Sequence, residues 1–278
     1  MSTPLTLLAP AKLNLMLHIT GRRDDGYHNL QTVFQILDYG DTMHFTLRND
    51  DALTLTGDFP GVPTESNIIF KAAQLIKPWS NVPPGVSINV DKVLPMGGGL
   101  GGGSSNAATT LLALNKLWHC HLREDQLAEL GLQLGADVPV FVRGRSAWAE
   151  GIGEQLSPLS LPEKWYVVLK PDVEVSTAKI FGHRELTRNT SAITVAAFLR
   201  SGGQNDCENI VRRLYPDIDA ALVWLAEAAK NGAMLTGTGA CIFAPCDNRD
   251  EAALIFANRP KNLRGFIAKG VNFSPACV

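Results

Sequence analysis

At 278 residues, with 45% hydrophobic and 19% charged side chains, the chain has the make-up of an ordinary folded protein and not of a disordered or fibrous one. A formal net charge of −2 argues against general nucleic-acid binding, which needs a clustered basic surface. Five cysteines (Cys120, Cys207, Cys241, Cys246, Cys277) show no CxxC spacing and read as reduced thiols, not as a disulfide framework or a metal site.

No apolar run reaches the roughly eighteen residues of a membrane span, and the first residues lack the basic and apolar regions of a signal peptide. The expectation is a cytoplasmic protein with no membrane partner and no nucleic acid.

In chain order, residues 12–20 alternate, with Leu13, Leu15, Leu17 and Ile19 on one face and Lys12, Asn14, Met16 and His18 on the other. That pattern predicts a strand with one buried side. A polar turn at 21–26 leads to Tyr27 and His28 and a second strand at 30–37. Short strands are expected at 42–47 and 52–56, then a helix at 67–79 capped by Ser66 or Asn67. A strand at 86–90 delivers the chain into Pro95, Met96, Gly97, Gly98, Gly99, Leu100, Gly101, Gly102, Gly103, Ser104 and Ser105.

After those glycines, Ala107, Ala108, Leu111, Leu114 and Trp118 recur at helical spacing and predict one apolar stripe over 104–118. A second helix fits 124–134 and stops at Gly135. Ala136, Asp137, Val138 and Pro139 follow, then a strand at 146–149 and a break across Gly151 and Gly153.

Two prolines in 157–164 mark a candidate boundary between an N-terminal unit, 1–156, and a C-terminal unit, 157–278. Beyond it lie a strand at 165–169, a helix at 192–199, and a helix at 217–229 interrupted upstream by Pro216. Met234 and Leu235 lead to the turn Gly237-Thr238-Gly239-Ala240. A strand at 241–244, a helix at 250–258 and a strand at 266–271 close the pattern. Strands first and a mixture afterwards suggest an α+β fold.

The glycine run carries chemistry. A backbone without Cβ atoms can wrap a ligand, and the first amides of the next helix point outward, unpaired, at its positive end. Together these make a phosphate cradle. A flexible linker is the alternative, but an apolar strand before the run and an apolar helix after it favour the cradle. A P-loop would need a lysine after the glycines, and none follows. Gly97, Gly99 and Gly102 match a dinucleotide GxGxxG, a weak signal among six glycines, and the window that should hold its acidic residue reads as helix.

Pro95, Gly99, Leu100, Gly101, Ser104, Ser105, Ala107 and Ala108 fit a third type, with Gly102 and Gly103 inserted. In this the chain resembles the GHMP kinases. Two further motifs of that family occur in its order: Pro10-Ala11-Lys12-Leu13-Asn14-Leu15 and Leu235-Thr236-Gly237-Thr238-Gly239-Ala240. Asp25-Gly26-Tyr27-His28 and Gly135-Ala136-Asp137-Val138-Pro139 narrow the resemblance to a branch acting on a small molecule, a cytidine diphosphate-linked methylerythritol.

The resemblance implies a two-domain α+β GHMP kinase fold, with a ribosomal protein S5 domain 2-like N-terminal unit and a ferredoxin-like α/β-plait C-terminal unit. The active site would lie in the cleft between them. It implies ATP and Mg²⁺, with no certain protein ligand for the metal beyond Ser104 or Ser105. It also implies phosphorylation of a tertiary 2-hydroxyl on the non-mevalonate route to isoprenoid precursors, by a monomer or weak homodimer.

Residue by residue, Asp137 would be the base and Lys12 its charge partner, and the loop from Pro95 to Ser105 would hold the nucleotide, with Asn67 and Lys92 at the adenine. Asn14, Tyr27, His28, Thr177, Phe181 and Gly239 would meet the substrate. Without the resemblance, Asp137 suits a helix N-cap equally. Lys12 would be an ordinary strand lysine, and Tyr27 and His28 ordinary loop residues.

Overall fold

The computed structural model describes residues 4–276, so Cys277 lies outside the described residues. Two long antiparallel strands open the fold, β1 (Leu5–Arg22) and β2 (His28–Leu47). The strands expected at 30–37 and 42–47 are one, because the polar residues between them pair with β1, Gly40 opposite Pro10 and Asp41 opposite Ala9.

After β3 (Leu53–Gly57) comes α1 (Ile68–Ile76), whose cap is Asn67, accepting from the Ile69 amide at 2.9 Å. Next follow β4 (Val86–Asp91), α2 (Gly102–Leu117), α3 (Glu124–Leu134), α4 (Val138–Arg143), β5 (Ala147–Glu150) and β6 (Gln155–Pro158). In this sheet β4 runs antiparallel to β2, and β3 parallel to β4. Ile69, Ile76, Leu111, Leu114, Trp118 and Phe141 pack with Phe34 and Phe45 into the first core.

The single stripe expected for α2 understates its burial. Ser105, Asn106, Thr109 and Thr110 are buried along with the apolar residues, because sheet and helices enclose it on several sides.

The second half contains β7 (Trp165–Lys170), α5 (Thr177–Phe181), α6 (Val195–Ser201), α7 (Glu208–Leu214), α8 (Pro216–Ala228), β8 (Met234–Leu235), β9 (Ile242–Cys246), α9 (Arg249–Ala257) and β10 (Arg264–Val271). Pro216 starts α8 instead of interrupting it; a first-turn proline lacks only an amide that would be unpaired anyway. The strand order β10-β7-β9-β8 is antiparallel throughout, with α8 and α9 on the two crossovers. That is the ferredoxin-like α/β plait, and the whole molecule is α+β. Cys241 and Cys246 flank the rest of the β9 run and are buried, as their apolar surroundings predict.

Two register pairs, Gly270 with Leu37 and Val271 with Ile36, join β10 to β2, so one sheet runs through both halves. The expected boundary after residue 156 falls inside β6, which is laddered to β5. The loop behind it is anchored where Asn272 bonds both the amide and the carbonyl of Leu161.

β1 departs from the expectation of one buried side. The ladder slips between Asn14 and Met16, and an extra residue there moves later side chains to the opposite face. Leu13 packs with Leu37, Leu94 and Phe243, and Met16 packs with Val33, Trp148 and Phe198. Leu17 and Ile19, expected beside Leu13, lie instead in the second core with Leu169, Ile210 and Leu225. The strand is therefore covered on both faces.

Candidate active site

The glycine loop stands between two cavities of about 610 and 390 Å³, and Gly99 and Gly101 line both. The smaller holds Asn67, Lys92, Ser104 and the loop from Pro95 to Gly103. The larger holds Lys12, Asn14, Tyr27, His28, Asp137, Thr177 and Phe181. Twelve of the sequence-predicted residues thus fall on the loop side, and the catalytic candidates and the substrate candidates other than Gly239 on the other.

Two distant segments fix the loop. The Lys12 amide donates to Leu100 O at 2.9 Å, the Cys241 amide to Gly98 O at 3.1 Å, and Thr236 Oγ1 to Gly99 O at 3.1 Å. Thr236 Oγ1 also accepts from the Asn14 amide at 3.0 Å. So β1, the glycine loop and the C-terminal turn meet at one fully buried hydroxyl. Gly99 sits at φ +75°, and a Cβ there would lie 2.2 Å from Thr236 O, so the approach requires glycine twice over.

At the start of α2 the amides of Gly102, Gly103 and Ser104 precede the first intrahelical bond, Ser105 N to Gly101 O at 2.8 Å, and face the smaller cavity. Ser105 lies apart from the rest of the loop. Its side chain is fully buried, lines neither cavity, and its Oγ has no partner among the described residues. Adjacent helical residues point about 100° apart, and here Ser104 lines the smaller cavity while Ser105 is turned into the core.

Asp137 occupies the cap position of α4, yet its side chain accepts no bond from that helix. Its carboxylate meets Lys12 instead, Oδ2 at 3.2 Å from Nζ. Lys12 is 3% exposed, donates to Asn14 Oδ1 at 2.5 Å, and lies 5.3 Å from the Phe34 ring centre. Asn14 in turn donates from Nδ2 to Thr32 Oγ1 at 2.8 Å. Both ends of the Asn14 amide are thus committed to protein, which makes it the support of Lys12. The Asp137 side chain, 34% exposed, is the member of this chain open to the cavity.

At the far end Tyr27 stands 60% exposed while His28 is buried, with its ring centre 5.2 Å from that of Phe181. Arg188 Nε donates to His28 Nε2 at 3.0 Å. Burial, then the charges of Arg188 and Arg22, hold the His28 pKa below its ordinary value. Thr177 and Thr238 share a hydroxyl bond of 2.9 Å at the cavity wall.

Gly239 is likewise set back: Gly237 and Thr238 line the cavity, whereas Gly239 lies behind them, its amide bonded to Thr236 O at 3.0 Å. Asn205 holds this turn through Leu235 O at 2.9 Å and Gly237 O at 2.8 Å.

In the smaller cavity the Asn67 carbonyl oxygen is engaged in capping α1. Lys92 Nζ lies 2.6 Å from Asp41 Oδ2, and the fully buried Asp41 also accepts from the Val93 and Leu94 amides and from Asn106. Among the described residues, no three His, Cys, Asp or Glu side chains gather as a metal site. No helix of the described residues is long and apolar enough to cross a membrane.

Sequence reasoning missed Thr32, Asp41, Arg188 and Asn205. Each is a lone polar residue outside any motif, and Arg188 and Asn205 come from segments with little periodicity, so nothing local flags them.

Two family models match, one of the GHMP kinases N terminal domain over residues 67–145 and one of the GHMP kinases C terminal over residues 184–265. The 4-diphosphocytidyl-2-C-methyl-D-erythritol kinases of Marinobacter nauticus and Pseudomonas aeruginosa are each 54% identical, over 99% of this chain and over 97% and 96% of theirs. A crystal structure of 4-(cytidine 5'-diphospho)-2C-methyl-D-erythritol kinase superposes with a TM-score of 0.86 at 32% identity, covering 96% of this chain and 100% of that one. Homoserine kinase from Cytophaga hutchinsonii shares the fold, at a TM-score of 0.72 and 18% identity over 99% of this chain and 96% of its own.

Proposed function

Because the chain belongs to the GHMP kinases, and among them to the 4-diphosphocytidyl-2-C-methyl-D-erythritol kinases, we propose that it moves the γ-phosphate of ATP onto the 2-hydroxyl of 4-diphosphocytidyl-2-C-methyl-D-erythritol, on the non-mevalonate route to isoprenoid precursors. It is a small-molecule kinase. The observation that carries the finer reading is the Lys12–Asp137 pair, 3.2 Å apart, beside the glycine loop where the two cavities meet.

Phosphoryl transfer needs positioning, charge neutralisation and a group that takes or orients the hydroxyl proton. Asp137 accepts that proton as the 2-oxygen attacks, and Lys12 neutralises charge growing on the transferred group. Asn14, itself bonded to Thr32, keeps Lys12 aimed. The α2 amides and the loop hold the phosphates in the smaller cavity, with Asn67 and Lys92 beside the adenine. The substrate lies in the larger cavity, in the cleft between the halves, its pyrimidine against Tyr27 and Phe181 and its edge toward His28.

The donor set fits a Mg²⁺ borne by the nucleotide and not one caged by protein. The described residues gather no carboxylate cluster, and Ser104 is the loop hydroxyl that lines the smaller cavity. When bound, the ion offsets the triphosphate charge.

ADP release with ATP, Mg²⁺ and the cytidyl substrate tests this directly. Substrate-dependent turnover is expected, with none on homoserine or mevalonate, which carry no base for Tyr27 and Phe181. Turnover on those acceptors and not on the cytidyl compound would sink the proposal.

A further inference from the structure

We infer that Arg188 is a positioning residue that fixes His28 as its Nδ1–H tautomer, so that the ring offers a donor to the base and selects cytosine over uracil. This rests on the reading that the larger cavity takes a cytidine diphosphate-linked substrate. A guanidinium has only donors, so the imidazole nitrogen facing Arg188 Nε at 3.0 Å must accept. Nε2 then carries the lone pair and Nδ1 the proton. Nδ1 makes no hydrogen bond to the described residues, and His28 lines the cavity.

Arg188 cannot easily turn away. Its other nitrogens donate to Leu186 O at 3.1 Å, and to Phe181 O and His183 O, both at 2.8 Å. One side chain thereby sets the tautomer of His28 and the backbone carrying Phe181, the ring beside it. The charged groups acting on the imidazole, Arg188 and Arg22, are both cationic and oppose its protonation together with burial. Cytosine presents two neighbouring acceptors, N3 and O2, to such a donor. Uracil presents N3–H in place of the first, and two donors facing each other leave both unpaired.

Nitrogen NMR of the ligand-free protein decides the first half: His28 should show a protonated Nδ1 and a bare Nε2, and the opposite tautomer overturns the inference. For the second half, the Arg188→Met variant is compared with wild type on cytidyl and uridyl substrates at pH 8. We expect KM for the cytidyl substrate to rise about tenfold with kcat nearly unchanged, and cytidyl-over-uridyl discrimination to fall about tenfold.

Acidifying the variant through the ordinary histidine range, about pH 6.5, should bring that KM back down, because the imidazolium carries a proton on both nitrogens. Wild type should show no such recovery. Unchanged discrimination, or a variant KM indifferent to pH, overturns the role of Arg188. Should the variant not fold, the wild-type tautomer still decides. A wild-type Nδ1–H with no turnover of the cytidyl substrate would instead bring down the proposed function, and base selection with it.

Discussion

At the scale of single residues, what separates the competing readings of Asp137 is which group its carboxylate faces. A cap aspartate accepts an amide of its own helix; this one ignores α4 and meets Lys12. The motifs made both residues legible as candidates, because a lysine and an aspartate recur at fixed places in a family pattern. They could not show that Lys12 is buried or that Asn14 supports it, since both facts depend on Thr32 and Phe34 across the ladder. Asp137→Asn should lower kcat by about 10²- to 10⁴-fold, the usual worth of a positioned proton acceptor, with KM for ATP little moved. A kcat within threefold of wild type would remove Asp137 from the mechanism. The same substitution leaves a buried ammonium short of its counter-charge. Stranding a buried charge costs more than removing both partners, even where, as here, one of them is partly exposed. Chemical denaturation should therefore find Lys12→Met/Asp137→Asn more stable than Asp137→Asn alone, by about 1–3 kcal/mol, although it is no more active.

At the scale of elements, the glycine loop was the most readable part of the chain, though the burial of Ser105 behind it was not legible. Six glycines announce close approach, but which glycine is approached depends on a turn more than a hundred residues away. Gly97 and Gly99 both have positive φ; nothing lies within 4 Å of a Cβ at Gly97, whereas Gly99 is pressed against Thr236 O. Gly97→Ala should cost about 1 kcal/mol of backbone strain and leave ATP binding measurable. Gly99→Ala should displace the loop from the C-terminal turn and abolish detectable nucleotide binding in calorimetry. Equal affinities for the two variants would refute the three-way junction. Thr236→Val keeps the shape of the junction but removes a hydroxyl that serves both Asn14 and Gly99, and should lower stability by about 1–3 kcal/mol in urea melts. The bulge in β1 left no trace in the sequence. Apolar alternation runs unbroken from Leu13 to Ile19, and only pairing with β2 shows that its second half faces the other way.

At the scale of the whole molecule, element order was enough to give α+β, but the β-α-β-β-α-β succession of the second half was not complete in it, because the two-residue strand Met234–Leu235 is too short to show a pattern. The continuity of the sheet was not, because Gly270 and Leu37 meet across almost the whole chain. The buried thiols test how tightly the assembled molecule is closed. Burial pushes Cys207 and Cys241 up to about 12, with the Asp206 charge adding to the effect at Cys207, and pushes Cys246 up to about 11. In a Cys277→Ser variant no thiol should react with a disulfide reagent at pH 8 until the protein unfolds; stoichiometric labelling of the native protein would contradict this. A thiol held protonated by folding favours the native state below its unfolded pKa and loses that contribution as pH climbs toward the folded value. The melting temperature should accordingly decline from about pH 9 upward. Strand β1 carries Lys12 into the site and then closes the core of the opposite half with Leu17 and Ile19. A break engineered into 159–164 would not release two portable modules. It would leave one fragment with its strand end bare and another with its core open, each the other's missing piece. Such a chain lends itself to reassembly from fragments, with activity returning only on mixing, and resists exchange of either half with a distant relative's.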